Sequence, residues 1–146
     1  MTPTAAYAEL TKSLREIALL GSINSVLHWD ERTVRPPAGA EHRASQISLL
    51  ATMTHAKFTW PRIGELLAAC EQSDLVKDPA SDAAVNVHHT RRAYNRATKL
   101  PPKLVEEMAK TTSLAENAWE GAKKSSDCRR LSVPETWITS RVERCA

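Results

Sequence analysis

Two proline pairs, Pro36-Pro37 and Pro101-Pro102, with Trp60-Pro61 between them, limit how far any helix in this 146-residue chain can run. A proline donates no backbone hydrogen bond, and it drives the residue before it out of the helical region. Between these breaks strong helix formers dominate: Ala, Leu, Glu, Lys and Arg are plentiful, and glycine occurs only four times. The chain therefore reads as helices separated by proline-marked turns.

Apolar spacing fills in the segments. Tyr7, Leu10, Leu14, Ile17, Ala18, Leu20, Ile23 and Leu27 place one stripe on a helix from Thr4 to about Trp29. Gly21 weakens its middle by roughly 1 kcal/mol relative to alanine, and a tight helix–helix approach is one ordinary reason for a glycine there. A second helix, Ala40 to about Lys57, turns Ala44, Ile47, Leu50, Ala51 and Met53/Thr54 inward. Pro61 suits a first helical position, and the third helix carries Ile63, Leu66, Leu67 and Cys70. Asp74 to Asp78 reads as a loop, with Asp78 capping a fourth helix that starts at Pro79 and reaches about Thr98. Its stripe is Ala83/Ala84, Val87, Thr90/Arg91 and Tyr94. The fifth helix carries Leu104, Val105, Met108, Thr112, Ala115, Ala118/Trp119 and Ala122. No alternating strand pattern, internal repeat or low-complexity segment interrupts this series.

The expected fold is all-α: about five helices in an irregular bundle or extended helical arm, without a sheet. The Trp29–Pro37 bend should set the first crossing. Burial should involve Leu10, Leu14, Ile17, Ile47, Leu50, Leu66, Val105, Met108 and Trp119, with some apolar surface left exposed. After Asp127 the helical period is lost in Cys128-Arg129-Arg130-Leu131-Ser132-Val133-Pro134. The division is therefore a helical region, 1–127, and a divergent, poorly ordered or loosely docked tail, 128–146.

Charge argues against a nucleic-acid partner. Residues 1–122 hold 14 Lys/Arg against 14 Asp/Glu, while 123–146 hold six against three, so the net +3 sits entirely in residues 123–146. A nucleic-acid footprint would be a basic face on the folded body. Three widely spaced cysteines (Cys70, Cys128, Cys145) are no disulfide framework, and Cys70 falls in an apolar helical pattern. The N-terminal residues lack a signal-peptide pattern, and the stretch Ile17 to Leu27 is too short to span a bilayer. A reducing cytoplasm and no membrane partner are the expectation.

Few residues invite a chemical role. His88-His89 are neighbours on a helix, about 100° apart, and cannot clamp one ion without a third element. His28 reads as a packing residue at a helix end. Asp30 and Glu31 have the composition of an acid/base pair; the other reading is that Asp30 anchors the bend by accepting backbone or Thr33 hydroxyl hydrogen bonds. Arg91, Arg92 and Arg96, beside Tyr94, have the fork geometry to hold a peptide carboxylate, or to pair within the fold. Thr111, Thr112 and Ser113 have no His–Asp constellation to activate a nucleophile. Lys123-Lys124 suit the negative end of the last helix dipole.

Tyr7-x-x-Leu10, Trp29-Asp30-x-x-Thr33-x-x-Pro36-Pro37 and Gly39-Ala40-x-x-Arg43-Ala44 stand in the first part of the chain. Arg91-Arg92-x-Tyr94-x-x-Ala97-x-Lys99-Leu100-Pro101, Leu104-Val105-Glu106-Glu107 and Ser113-x-Ala115-x-x-x-Trp119-x-x-Ala122 follow them. With these motifs in that order, the stretch from Tyr7 to Asp127 resembles the N-terminal region of the carboxypeptidase Taq (thermostable carboxypeptidase 1) family of zinc metallocarboxypeptidases. The resemblance implies an all-helical, usually dimeric hydrolase that removes single residues from peptide C-termini. It also implies a zinc ion held by a His-Glu-x-x-His helix and a downstream glutamate. Trp29, Asp30, Thr33, Arg92 and Tyr94 become candidates for lining the substrate cleft or shaping the bend.

The catalytic motif is missing. The five histidines stand in His28-Trp29, His42-Arg43, His55-Ala56, His88-His89 and His89-Thr90, so none is followed by glutamate. The expectation is no catalytic residue, no metal bound by this chain, and no peptidase activity from it alone, with zinc and peptide substrates belonging to the full-length family. The loss of resemblance and of helical period at Asp127 points to a shifted frame or a truncated gene. The alternative reading is a non-enzymatic helical module that dimerises or associates with a catalytic part.

Overall fold

The computed structural model describes residues 2–126, which form five α-helices and two short 3₁₀ turns, with no strand among them. The expected tail, 128–146, lies outside the described residues. Helix α1 (Pro3–Thr33) is capped by the Thr2 hydroxyl, which accepts from the Ala5 amide at 3.3 Å. It ends where Pro36 takes an extended conformation (φ −62°, ψ 145°), and a 3₁₀ turn, Pro37–Gly39, leads into α2 (Ala40–Phe58). Helix α3 (Pro61–Glu71) starts on its proline, as expected. A second 3₁₀ turn, Asp74–Val76, precedes α4 (Asp82–Ala97), and α5 (Pro102–Ser125) begins at the second proline of its pair.

Two boundaries depart from the sequence reading. Helix α1 continues one turn past Trp29 to Thr33, so Trp29 and Asp30 sit within the helix and the chain turns only after it. Helix α4 starts at Asp82 instead of Pro79. The Asp78 carboxylate accepts from the Ala80 amide at 3.0 Å and closes a turn, and the Ser81 hydroxyl does the capping, accepting from the Ala84 amide at 3.3 Å.

The main core gathers Ala6 and Leu10 of α1, Ile63, Leu66, Leu67 and Cys70 of α3, and Val87 of α4. All four apolar positions expected of α3 are buried. A second packing zone joins α2 to α5, where Ala44, Ile47 and Ser48 are buried and the Ser48 hydroxyl donates to the Glu106 carbonyl at 3.1 Å. Ion pairs hold α2 and α3 along α1: Arg62 to Glu9 at 2.8 Å, Lys57 to Glu16 at 2.6 Å, and Arg43 to Asp30 at 2.6 Å.

Burial of Met108 and Trp119 does not hold; they are 44% and 53% exposed. The buried positions of α5 are Ser113 and Ala122. Its inward face is polar in the second half because it faces a buried carboxylate on α1, and Trp119 is displaced to the outside, where the Lys123 ammonium lies 5.1 Å from its ring centre. Among the described residues no helix is long and apolar enough to cross a membrane.

Candidate functional site

The last turn of α1 and the middle of α5 meet around Glu31. Positions 28 and 31 lie one turn apart on one face of α1, and positions 113, 116 and 117 share a face of α5. Glu31 is buried, and its Oε1 accepts from the Ser113 hydroxyl at 2.6 Å and from the Asn117 side-chain amide at 2.9 Å. Its other oxygen, Oε2, is screened from solvent and makes no hydrogen bond, while His28 Nδ1 stands 3.6 Å away. The Arg32 guanidinium grips both Glu116 oxygens, at 3.0 and 3.1 Å. Arg35 donates to the carbonyls of Pro36 and Pro37, at 2.8 and 3.2 Å, and to Asn117 Oδ1, so one side chain fixes the proline turn against α5. A cavity of about 340 Å³ opens here, lined by Glu31, Arg32, Arg35, Asn117 and Lys124 among others.

The candidates from the sequence fall into two groups. Trp29, Asp30 and Thr33 lie together in the final turn of α1. The Trp29 ring is 63% exposed, and the Thr33 hydroxyl donates to the Trp29 carbonyl at 2.7 Å instead of to Asp30. The Asp30 carboxylate faces Arg43 of α2, and it is the Asp30 main-chain carbonyl that takes the bend's amides, from Val34 and Arg35 at 3.1 and 3.0 Å. Arg92 and Tyr94 are on α4, which packs against α3. Arg92 is exposed, and Tyr94 meets Phe58 edge-on at 6.2 Å. Phe58 ends α2 while Arg43 is near its start, so the two groups stand roughly 20 Å apart along that helix. The structure does not bring them together.

The neighbours of these candidates have structural partners. Arg91 donates to both Glu71 oxygens, at 2.8 and 2.9 Å, and this pairing raises the pKa of its guanidinium. His88 and His89 are exposed with their rings 5.5 Å apart, beside a shallow cavity of about 440 Å³. Ser113 is fully buried with its hydroxyl committed to Glu31, which closes it to any substrate. Cys70 is fully buried, and burial pushes its thiol pKa up. Sequence reasoning missed the Glu31 cluster. Its donors lie 82 and 86 positions away, and the short Ser113/Asn117 spacing alone gives no sign of what it faces.

Three comparisons bear on this arrangement. The family model of the carboxypeptidase Taq (M32) metallopeptidases matches residues 9–134. Thermostable carboxypeptidase 1 of Thermus thermophilus is 49% identical over 129 residues, covering 88% of this chain and 25% of that protein. Carboxypeptidase 1 of Bacillus subtilis is 33% identical over 115 residues, covering 78% of this chain and 22% of that protein. A solved structure described as "BsuCP Crystal Structure" superposes with a TM-score of 0.80 at 30% identity, over 88% of this chain and 25% of that one. The chain thus spans about a quarter of the length of the curated relatives it matches.

Proposed function

Since the chain belongs to the carboxypeptidase Taq (M32) metallopeptidase family, we propose that it is the N-terminal helical part of a zinc-dependent metallocarboxypeptidase. The reading rests on one observation: close identity to thermostable carboxypeptidase 1 over nearly the whole chain, confined to a quarter of that protein's length. Peptide hydrolysis by this family needs a metal that polarises the carbonyl and activates a water. No His-Glu-x-x-His sequence occurs in the 146 residues. The catalytic zinc and the peptide therefore belong to a further part of the protein, and the present residues act as support and as cleft wall. Trp29, Asp30 and Thr33 are the residues we assign to that wall, with Arg43 fixing Asp30 from behind. Arg92 and Tyr94, at the far end of α2, form a second and separate contact surface.

The apolar side chains left exposed along α1 favour association, with the catalytic part or with a second copy. Residues 128–146 are proposed as a tail that diverges by a frame change, with the family match reaching residue 134; sequencing the genomic locus across and beyond this segment should reveal a peptidase frame, and unrelated DNA there would refute this. The cytoplasm is assigned on the free, buried Cys70 and the absence of any disulfide pattern. Nucleic acid is left out as a partner because residues 1–122 carry 14 Lys/Arg against 14 Asp/Glu, which leaves no net basic charge over most of the helical body.

The test is complementation. The chain is mixed with the remainder of the Thermus thermophilus relative, expressed separately, and release of C-terminal residues from a peptide is followed with zinc present. The expected result is turnover by the mixture and none by this chain. A stable complex without turnover would favour the helical-module reading instead.

A further inference from the structure

We propose that His28, Glu31 and Glu116 form a divalent metal site of the zinc class, separate from the missing catalytic motif, that ties the end of α1 to α5. One donor atom from each residue lies within 4.8 Å of the other two. The independent sign is Glu31 itself. Its side chain is 3% exposed, yet Oε2 makes no hydrogen bond, while Oε1 takes both Ser113 and Asn117. A buried carboxylate with one oxygen unserved is costly, and an ion is one of the few partners that offsets it.

The geometry suits such an ion. Oxygen and nitrogen donors at about 2.0–2.2 Å around a tetrahedral zinc stand roughly 3.4 Å from one another. The His28 Nδ1 to Glu31 Oε2 separation is 3.6 Å and all three donor atoms lie within 4.8 Å of one another, so the side chains close inward by rotation to complete the set. Mixed imidazole and carboxylate donors select zinc-like metals over magnesium or calcium. Ser113 and Asn117 already orient Glu31, and Arg32 already orients Glu116, as outer partners do in metal sites. Arg32 need not leave, because a carboxylate has lone pairs for both a guanidinium and a metal. Three protein donors leave a fourth position for water. With donors from two helices, the ion braces the proline turn.

The experiment is calorimetric titration of the chelator-treated, full 146-residue chain with zinc chloride, with magnesium chloride as comparison and a circular dichroism melt alongside. The expected result is one zinc per chain, a raised melting temperature, and no saturable magnesium binding. Glu31→Gln keeps an acceptor for Ser113 and Asn117 and should still fold; His28→Ala removes a half-exposed ring. Each should weaken zinc binding by more than about tenfold. His88→Ala with His89→Ala should leave it unchanged. Absence of saturable zinc binding would overturn the proposal. So would binding undiminished in both single variants, or binding lost only when His88 and His89, or Cys128 and Cys145, are replaced.

Discussion

Arg43 holds two groups on α1 at once, the Leu27 carbonyl at 3.0 Å and the Asp30 carboxylate at 2.6 Å. Both side chains of the ion pair are largely shielded, so water replaces these bonds poorly. Arg43→Ala should cost about 1–3 kcal/mol in a urea unfolding experiment, and lysine should recover part of it, since one nitrogen, Nη1, makes both contacts. At the other end of α1, hydrogen bonds from Arg62 and Lys57 hold the Glu9 and Glu16 carboxyls below the ordinary glutamate value of 4.5. A carboxyl that is more acidic folded than unfolded adds stability above its unfolded pKa, and that contribution fades as pH falls through the folded one. Glu9→Gln should therefore be less stable than the parent at neutral pH, with the gap closing as pH drops below 4.5. Urea midpoints across that range check it, and added salt should shrink the gap, since both partners are partly exposed. At this scale the sequence was least informative. Asp30 was readable as a residue of the bend, but its partner Arg43, like the Ser113 and Asn117 that serve Glu31, is set by tertiary packing that no local spacing encodes.

Proline chemistry made most helix borders legible, since Pro36, Pro61 and Pro101-Pro102 act on the backbone whatever surrounds them. The start of α4 was not, because Asp78 and Ser81 are both competent caps and only the turn between them decides which one serves. Helix α5 was misread for a different reason: an apolar stripe finds the inward face only when the opposing surface is apolar, and Glu31 is not. Glycines divide in the same way. A tight helix–helix approach is one ordinary reason for a glycine at position 21, yet a Cβ there meets nothing within 4 Å. The close approach is at Gly64, where a Cβ would sit 2.8 Å from the Tyr94 hydroxyl on α4. Gly21→Ala should stabilise the chain by about 0.5–1 kcal/mol, and Gly64→Ala should destabilise it by about 1–3 kcal/mol, both read from thermal melts. The opposite order would show that α3 and α4 do not pack as described.

At the scale of the whole molecule, one surface stands out. Leu19, Ile23, Val26 and Trp29 are each 50–64% exposed and follow one another along α1 at helical spacing. An exposed apolar stripe of this kind favours association. The chain alone should self-associate in sedimentation equilibrium, and Leu19→Lys with Val26→Lys should shift it toward monomer without loss of helix. The fold class and the family were both readable from residue order, because helix formers, proline breaks and the Trp29-Asp30 pair are local features. The absence of the catalytic motif was equally plain. The proposal follows from it: with no His-Glu-x-x-His sequence in the 146 residues, we assign this chain a supporting part in a peptidase and expect no hydrolysis from it alone. The deciding measurement is release of C-terminal residues from peptides by the purified 146-residue chain with zinc in excess. The account predicts no release above the metal-only blank, even if zinc binds at Glu31; chelator-sensitive turnover by the chain alone would contradict it.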